Sequence, residues 1–111
     1  MGKKKTSNMA ALISIEPGFV RMRVSNLKND ELVDVDRLEK QTKLGHEIFN
    51  NKKISFETLH EISSILKNYA SVLMEYSIKN CRVIACALLR EAENCAYIVD
   101  QIKIQNDMNV K

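Results

Sequence analysis

Residues 83–89 restrict the fold of this chain more than any other stretch. Six of these seven residues are aliphatic, and the seventh is Cys86. A continuous apolar run of this length, bounded by charged residues, predicts a strand that is buried on both faces. Arg90, Glu91 and Asn94, a helix-capping residue type, follow it directly. Because ligands of open α/β sheets bind at the carboxyl ends of strands, these residues predict a ligand-binding edge.

The first third of the chain predicts a three-stranded antiparallel meander. Residues 9–15 are mostly apolar, residues 19–25 alternate between apolar and polar types, and residues 31–38 alternate again, with Val33 and Val35 opposed to Asp34 and Asp36. Pro17 and Gly18 fit the centre of a type II turn, and residues 26–30 form a second turn. The charged side of the third strand indicates that it lies at an edge of the sheet.

A strong helix is predicted between the meander and the buried strand. Ser55 is a good N-cap, Glu57 suits the first turn, and Ile54 can pack on Leu59 as a hydrophobic staple. The helix is expected to end at Lys79-Asn80. Its apolar stripe indicates a core face rather than a cofactor or membrane surface, and it comprises Phe56, Leu59, Ile62, Leu66, Tyr69, Leu73 and Tyr76.

The remaining segments are less regular. Residues 39–53 are interpreted as an extended loop, with Lys43-Leu44-Gly45 as its fixed point. Asn94 is the expected N-cap of a last helix that ends near Gln105. Residues 106–111 have the pattern of a strand that only begins. Because a missing neighbour would leave the apolar strand at residues 83–87 with an open edge, we expect self-association or strand exchange through that edge.

Composition restricts the class of protein. The 111 residues allow one small domain, predicted at 9–111, after a flexible basic leader at 1–8 that carries three lysines. A basic leader can contact nucleic acid, but a solvated tail is the preferred interpretation. The absence of a membrane-length apolar run of ~20 residues and of a signal-peptide core predicts a cytoplasmic protein with no membrane partner. Since the leader is interpreted as a solvated tail, no nucleic-acid partner is expected either. Cys81, Cys86 and Cys95 form no CxxC pair and are interpreted as reduced thiols rather than metal ligands.

Three local motifs carry a family resemblance that extends from Ala10 onward. They occupy residues 11–22, residues 43–45 and residues 83–94. In order, they are similar to the Ile-Asp-Ile-Gly-Ser-Asn-Ser-Val-Arg-Leu, Arg-Leu-Gly and Val-Ala-Thr-Ser-Ala-Leu-Arg-Glu-Ala-x-Asn motifs of the exopolyphosphatase / guanosine pentaphosphate phosphohydrolase family. The spacing of the motifs, and the single helix between the last two, also resemble that family.

The resemblance implies a mixed α/β fold, namely a ribonuclease-H-like, actin-like ATPase-type half domain with a meander, a helix, a parallel strand and a helix. It implies a parent protein that hydrolyses phosphoanhydride bonds of polyphosphate or guanosine pentaphosphate in a cleft between two domains. Magnesium is implied for a complete active relative, whereas no cofactor and no metal ligand is assigned to this chain. The phosphate-binding positions that the resemblance implies here are Arg21, Lys43, Gly45, Arg90, Glu91 and Asn94.

Several positions depart from the family motifs. Ser14 replaces a metal-associated aspartate, and Glu16 replaces the glycine of the phosphate hairpin. The remaining departures are Pro17, Gly18 and Phe19 in place of Ser-Asn-Ser, and Cys86 and Ala87 in place of Thr-Ser. The family's catalytic glutamate and second glycine loop belong to later segments. We therefore expect a domain that is incomplete at its C-terminus, assign no catalytic residue and expect no activity from this chain alone.

Two functional hypotheses remain open. In the first, the chain is the N-terminal part of a phosphoanhydride hydrolase, in which Arg21, Lys43 and Arg90 contact phosphate and a missing second domain is the partner. In the second, the chain comes from a non-catalytic relative that acts as a ligand- or protein-binding regulatory module, because the altered positions cluster on one phosphate loop. At Arg90, the alternative to phosphate binding is an ion pair with a nearby acid.

Overall fold

Four strands and three α-helices form residues 8–110, the part of the chain that the computed structural model describes. The order is β1 (Met9–Ile15), β2 (Phe19–Lys28), β3 (Glu31–Gln41), α1 (Leu44–Asn51), α2 (Phe56–Glu75), β4 (Cys81–Ala85), a 3-10 helix (Ala87–Glu91) and α3 (Cys95–Asn106). The sheet order is β3-β2-β1-β4, with β4 parallel to β1 and the other pairs antiparallel. The predicted meander and parallel strand are confirmed. The predicted leader lies outside the described residues except for Asn8.

The helices cover one face of the sheet. Alternate residues of the strands are buried there in a single core, among them Ile13, Met22 and Val83. We call the opposite side the open face, and its members are Ala10, Leu12 and Ser14 of β1, Arg21, Arg23 and Ser25 of β2, and Arg82 and Ile84 of β4. The expectation of a strand buried on both faces is wrong, because β4 ends at Ala85 and places the exposed Arg82 and the half-buried Ile84 on the open face.

A β-bulge at Val35 breaks the alternation of β3. The pairing register with β2 shifts at this point, so Val35 has no partner of its own. As a result Asp34 lies on the open face, where Arg23 binds it at 3.1 Å, and Asp36 lies on the core face, where it accepts a hydrogen bond from the Tyr76 hydroxyl at 3.1 Å. The Arg23 guanidinium holds the pKa of the Asp34 carboxyl below its ordinary value. The prediction that both aspartates share one face is therefore wrong, whereas the edge position of β3 is confirmed.

Both hairpin turns differ in detail from the sequence prediction. Gly18 does not have the positive φ that a type II turn requires at its third position, so the first turn is of another type. The second turn consists of Asn29 and Asp30 alone, with φ of 53° and 65°. Two consecutive left-handed residues match the right-handed twist of the flanking strands. Strand β2 therefore continues to Lys28, through most of the segment predicted as a turn.

Helix α1 occupies a segment that was expected to be an extended loop. That prediction is wrong, because residues 39–41 belong to β3 and Leu44–Asn51 is helical. The helix is short and has no side-chain N-cap. Leu44 and Ile48, one helical turn apart, are both buried in the core. Packing of these two side chains, rather than local propensity, accounts for the helix.

Helix α2 begins as predicted, since the Ser55 Oγ accepts a hydrogen bond from the Thr58 N–H at 3.1 Å. The staple residues Ile54 and Leu59 are both buried. Phe56, however, is 74 % exposed and does not belong to the core stripe, because the first helical residue points away from the sheet.

The end of α2 lies earlier than the sequence suggested. The helix stops at Glu75, and Ser77 adopts a left-handed conformation with φ 57°. The Ile78 N–H then donates to the Leu73 carbonyl at 2.9 Å, in the manner of a Schellman motif. None of the described helices is long and apolar enough to span a membrane.

The two edges of the sheet differ in their protection against further pairing. β3 carries charged residues and a bulge, which are features that discourage pairing at an edge. β4 has Arg82 as its one charged residue and is otherwise apolar. Val110 forms an isolated parallel bridge with Val83, so the segment after α3 begins to pair as the sequence suggested. Self-association through the β4 edge stays a prediction, which light scattering over a concentration series checks. A clean monomer at high concentration would contradict it.

Candidate functional site

The three sequence motifs converge at one end of the sheet. β1 and β4 are parallel, so their carboxyl ends lie side by side. The Cys86 N–H, just after β4, donates to the Ile15 carbonyl at the end of β1 at 2.9 Å. The Gly45 N–H, in the first turn of α1, donates to the Pro17 carbonyl at 2.7 Å. The β1–β2 hairpin, the start of α1 and the segment after β4 therefore form one region, which we call the convergence site.

The hairpin of the convergence site is closed by its own backbone. The Glu16 N–H donates to the Phe19 carbonyl at 2.8 Å, and Pro17 has no N–H to offer. The carbonyls of Pro17 and Gly18 accept hydrogen bonds from Gly45 and Thr42, at 2.7 and 3.0 Å. A phosphate-binding loop instead directs several N–H groups into one concavity. These three bonds close the hairpin and attach it to residues 42–45, where α1 begins.

Gly45 is required by the close approach of α1 to the hairpin. A Cβ at position 45 would lie 2.7 Å from the Pro17 Cβ and 3.0 Å from the Pro17 carbonyl oxygen. Only glycine allows the two backbones to approach this closely and to form the hydrogen bond between them. The structure therefore provides a packing reason for a glycine that the family resemblance associates with phosphate.

Arg21 lies on the open face beside the convergence site. Its Nε donates to Glu39 Oε1 at 3.0 Å, and its guanidinium lies 4.6 Å from the centroid of the Phe19 ring. Ser14 is its direct cross-strand neighbour on β1. Both partners of the ion pair are partly exposed, and such pairs contribute at most about 1 kcal/mol. A phosphate could displace Glu39 at that small cost.

Lys43 and Arg90 are two exposed cations of the convergence site. Lys43 occupies the N-cap position of α1, and Arg90 lies in the 3-10 helix after β4. Both are exposed, as is Glu91. Within residues 8–110, neither cation forms a salt bridge, so the alternative of an ion pair at Arg90 is not found there. Arg90 also lines a groove of about 150 Å³ together with Cys86, Cys95 and Val99.

Asn94 lies at the N-cap position of α3, as predicted, but its side chain does not cap that helix. Its Oδ1 accepts a hydrogen bond from the Ile54 N–H at 3.0 Å, and its Nδ2 donates to the Ile54 carbonyl at 2.9 Å. The amide thus attaches the third motif to the residue before the α2 N-cap. Its predicted contact with phosphate stays a prediction.

Glu47 is a residue that sequence reasoning missed. Its Oε1 accepts from the Ser55 N–H at 2.8 Å, and its Oε2 accepts from the Ser55 Oγ at 2.7 Å. Burial by itself would raise the pKa of the Glu47 carboxyl, but the hydrogen bonds, chiefly from Ser55, outweigh it and hold the pKa below the ordinary value. The only sequence signal for this contact is a glutamate eight residues before a serine N-cap, and that spacing does not predict that the two side chains meet.

We expect the Glu47 carboxylate to make folding stability depend on pH. Since the pKa of this carboxyl is lower in the folded than in the unfolded chain, its contribution is complete above the unfolded pKa and is lost as the pH falls through the folded pKa. Glu47→Gln should lower the free energy of unfolding at pH 7 by about 1–2 kcal/mol. Urea melts of both proteins from pH 7 to pH 3 should converge at the acid end. Curves that stay parallel would contradict this role.

The donor set around Ser14 does not fit a protein-held magnesium ion. Ser14 lies on the open face between Arg21 and Ile84 in register, so its nearest charged cross-strand neighbour is a cation. Among residues 8–110, no three His, Cys, Asp or Glu side chains form a group that could hold a metal. Magnesium in proteins prefers carboxylate and phosphate oxygens. The three cysteines are free and half-buried, and burial raises the pKa of the Cys81 thiol, which makes it less reactive.

The fold of the chain is shared with solved structures of phosphatases. The Ppx/GppA family member of Aquifex aeolicus superimposes with a TM-score of 0.88 at 20 % identity, over 93 % of this chain and 34 % of that chain. An exopolyphosphatase from Cytophaga hutchinsonii gives a TM-score of 0.86 at 16 % identity, over 93 % of this chain and 33 % of that chain. At these identities, the likeness establishes the fold. Comparison with curated proteins finds no match.

The chain therefore spans about a third of the length of its solved neighbours, and it corresponds to their N-terminal, actin-like domain. The sequence model of the Ppx/GppA phosphatase family matches residues 7–111. Since that match covers nearly the whole chain, and the three motifs of the resemblance meet at one end of the sheet, this chain belongs to the Ppx/GppA phosphatase family.

Proposed function

We propose that this chain is the N-terminal, phosphate-binding part of an exopolyphosphatase-like phosphoanhydride hydrolase that acts on polyphosphate or guanosine pentaphosphate. The observation that carries the proposal is the convergence site, where Lys43 and Arg90 are exposed and lack a salt bridge within the described residues. Ammonium and guanidinium groups suit phosphate oxygens, the second through paired hydrogen bonds. Arg21 can join them when a phosphate displaces Glu39.

Hydrolysis needs more than these contacts. A phosphoanhydride hydrolase must activate water with a base and offset the charge of the phosphates, commonly with a divalent metal. Glu16 lies in the hairpin with its negative charge near the expected phosphates, which opposes binding. In this proposal, the base and the opposite wall of the cleft come from the two thirds of the protein that the solved neighbours have beyond the matched part.

We therefore expect no release of phosphate from polyphosphate by these 111 residues. The reason is that the convergence site offers Lys43 and Arg90 for binding, whereas in this proposal the base comes from the further segments. A colorimetric phosphate assay with magnesium checks this, with the exopolyphosphatase from Cytophaga hutchinsonii as the positive control. Magnesium-dependent turnover by the chain alone would contradict the proposal that the activity needs further segments.

Binding of phosphate is tested separately, by thermal denaturation with tripolyphosphate. At a ligand concentration ten times the Kd, binding stabilises the folded state by about 1.4 kcal/mol. That should raise the Tm by about 5 °C. Arg90→Gln should remove most of the rise, whereas Lys67→Gln, a matched loss of charge on the exposed side of α2, should not. An equal rise of the Tm in all three proteins would show that tripolyphosphate binds non-specifically, and it would refute phosphate binding at the convergence site.

The second candidate function is a non-catalytic binding module, and the hairpin favours it. Its Glu16 N–H already donates to the Phe19 carbonyl, and Pro17 supplies no N–H, so neither residue offers a backbone donor to phosphate. Under this alternative, tripolyphosphate would have no effect on the Tm. The same assay is repeated with a guanosine nucleotide. A rise in the Tm would indicate that a nucleotide site is retained, whereas no rise would indicate that the hairpin no longer binds phosphate.

A further inference from the structure

Residues 52–55, between α1 and α2, form hydrogen bonds with both of the elements that carry the exposed cations of the convergence site. We call these residues the bridging segment. On one side it meets Glu47 of α1, whose carboxylate accepts from the Ser55 N–H at 2.8 Å and from the Ser55 Oγ at 2.7 Å. Lys43 lies one helical turn before Glu47, and its carbonyl accepts the Glu47 N–H at 3.0 Å. The bridging segment is therefore fixed to the turn of α1 that begins at Lys43.

On its other side, the bridging segment meets the end of the third sequence motif. The Glu93 N–H donates to the Lys52 carbonyl at 2.8 Å. The Asn94 side chain accepts from the Ile54 N–H at 3.0 Å and donates to the Ile54 carbonyl at 2.9 Å. Ile54 is buried, so these two bonds are shielded from water. Since Arg90 lies shortly before Glu93 in the chain, the same bonds restrict the positions that the Arg90 segment can take.

Lys43 and Arg90 carry like charges on elements that pack against each other, since α1 is in contact with the 3-10 helix. Like charges favour separation of the two elements, and the bridging segment opposes it. An anion that contacts two cations gains affinity when their spacing is fixed, because the second contact then forms without a further loss of freedom. An anion that reaches only one cation gains nothing from that spacing.

We propose that Glu47 is a positioning residue, which acts through the bridging segment to hold Lys43 and Arg90 at a fixed spacing and thereby favours phosphate chains over single phosphate groups. This inference rests on the proposed function, because it requires that both cations contact phosphate. It does not require Glu47 to contact the ligand, since Ser55 occupies both carboxylate oxygens. Charge alone predicts the opposite effect, because a carboxylate one turn from Lys43 opposes the binding of any anion.

The substitution Glu47→Gln distinguishes positioning from charge. The full chain, isotope-labelled for NMR, is titrated with tripolyphosphate and with orthophosphate at pH 7. Glu47→Gln should bind tripolyphosphate at least fivefold more weakly than the unsubstituted chain, whereas the Kd for orthophosphate should stay within twofold. The matched control is Glu61→Gln, which removes the same charge from the exposed side of α2. It should leave both Kd values within twofold.

A second variant breaks the same contact without changing any charge. Ser55→Gly removes the Oγ that donates to Glu47 Oε2, and glycine is well tolerated at an N-cap, so α2 keeps most of its stability. This variant should also weaken tripolyphosphate more than orthophosphate, and it carries the comparison should Glu47→Gln fail to fold. Circular dichroism verifies folding. Without ligand, amide hydrogen exchange in the bridging segment should be faster in both variants than in the unsubstituted chain.

The outcomes separate this inference from the proposed function. If the unsubstituted chain binds tripolyphosphate, the inference is overturned by unchanged affinity in both variants, by equal weakening of the two anions, or by tighter binding to Glu47→Gln. Unchanged hydrogen exchange in both folded variants would also overturn it. An equal effect of Glu61→Gln would show that charge rather than positioning is responsible. Absence of tripolyphosphate binding to the unsubstituted chain would instead refute the proposed function, and this inference with it.

Discussion

Gly45→Ala is expected to lower the free energy of unfolding by about 2–3 kcal/mol, because overpacking of this kind displaces backbone. The added Cβ would lie 2.7 Å from the Pro17 Cβ and 3.0 Å from the Pro17 carbonyl oxygen. That oxygen accepts the Gly45 N–H at 2.7 Å, so α1 cannot move away without loss of the hydrogen bond. The Tm should fall by about 10 °C. Differential scanning calorimetry without any ligand measures it.

Gly18→Ala is the matched control within the same hairpin. Nothing lies within 4 Å of a Cβ at position 18, and the residue does not have a positive φ. The substitution should be neutral or should stabilise the fold by about 0.4–1 kcal/mol through the unfolded chain. Equal effects of the two substitutions would refute the close approach of α1 to the hairpin. A difference in Tm between the two variants without ligand would show that Gly45 is needed for packing, independently of any role in phosphate binding.

Asn94→Leu is expected to cost about 2–4 kcal/mol. The substitution leaves the N–H and the carbonyl of Ile54 without partners, at a residue that is only 3 % exposed. Each unsatisfied buried group costs about 1–3 kcal/mol. Urea denaturation at pH 7 measures the loss, which should appear as a lower midpoint with an unchanged slope.

Two further variants separate the loss of the Asn94–Ile54 hydrogen bonds from a general effect of replacing asparagine by leucine. Asn68→Leu makes the same change on the exposed side of α2 and should alter stability by less than about 0.5 kcal/mol. Asn94→Asp keeps an acceptor for the Ile54 N–H but loses the donor to its carbonyl, so it should be intermediate. If Asn94→Leu kept full stability and lost only the response to tripolyphosphate, the Asn94 side chain would bind phosphate rather than stabilise the contact with Ile54.

The convergence site was only partly predictable. The sequence placed Arg90, Glu91 and Asn94 after the carboxyl end of a strand, and in the structure they follow β4, which ends at Ala85 and is parallel to β1. Helix α1 was missed, because its two buried residues, Leu44 and Ile48, are too few to produce a recognisable helical stripe. The links from Asn94 to Ile54 and from Glu47 to Ser55 were also missed. They join side chains to residues 40 and 8 positions away, and no local pattern records such pairs.

What the sequence determined by itself is local. A short apolar run predicts β1, a period of two predicts β2, charge marks β3 as an edge, and a serine before an apolar stripe begins α2. Each of these signals depends on neighbours along the chain. The tertiary structure alone decided which groups remain available at the site. Hydrogen bonds between distant segments attach the hairpin to α1 and Asn94 to Ile54, whereas the side chains of Lys43 and Arg90 stay exposed. Those bonds depend on how strands and helices pack, which a linear pattern does not specify.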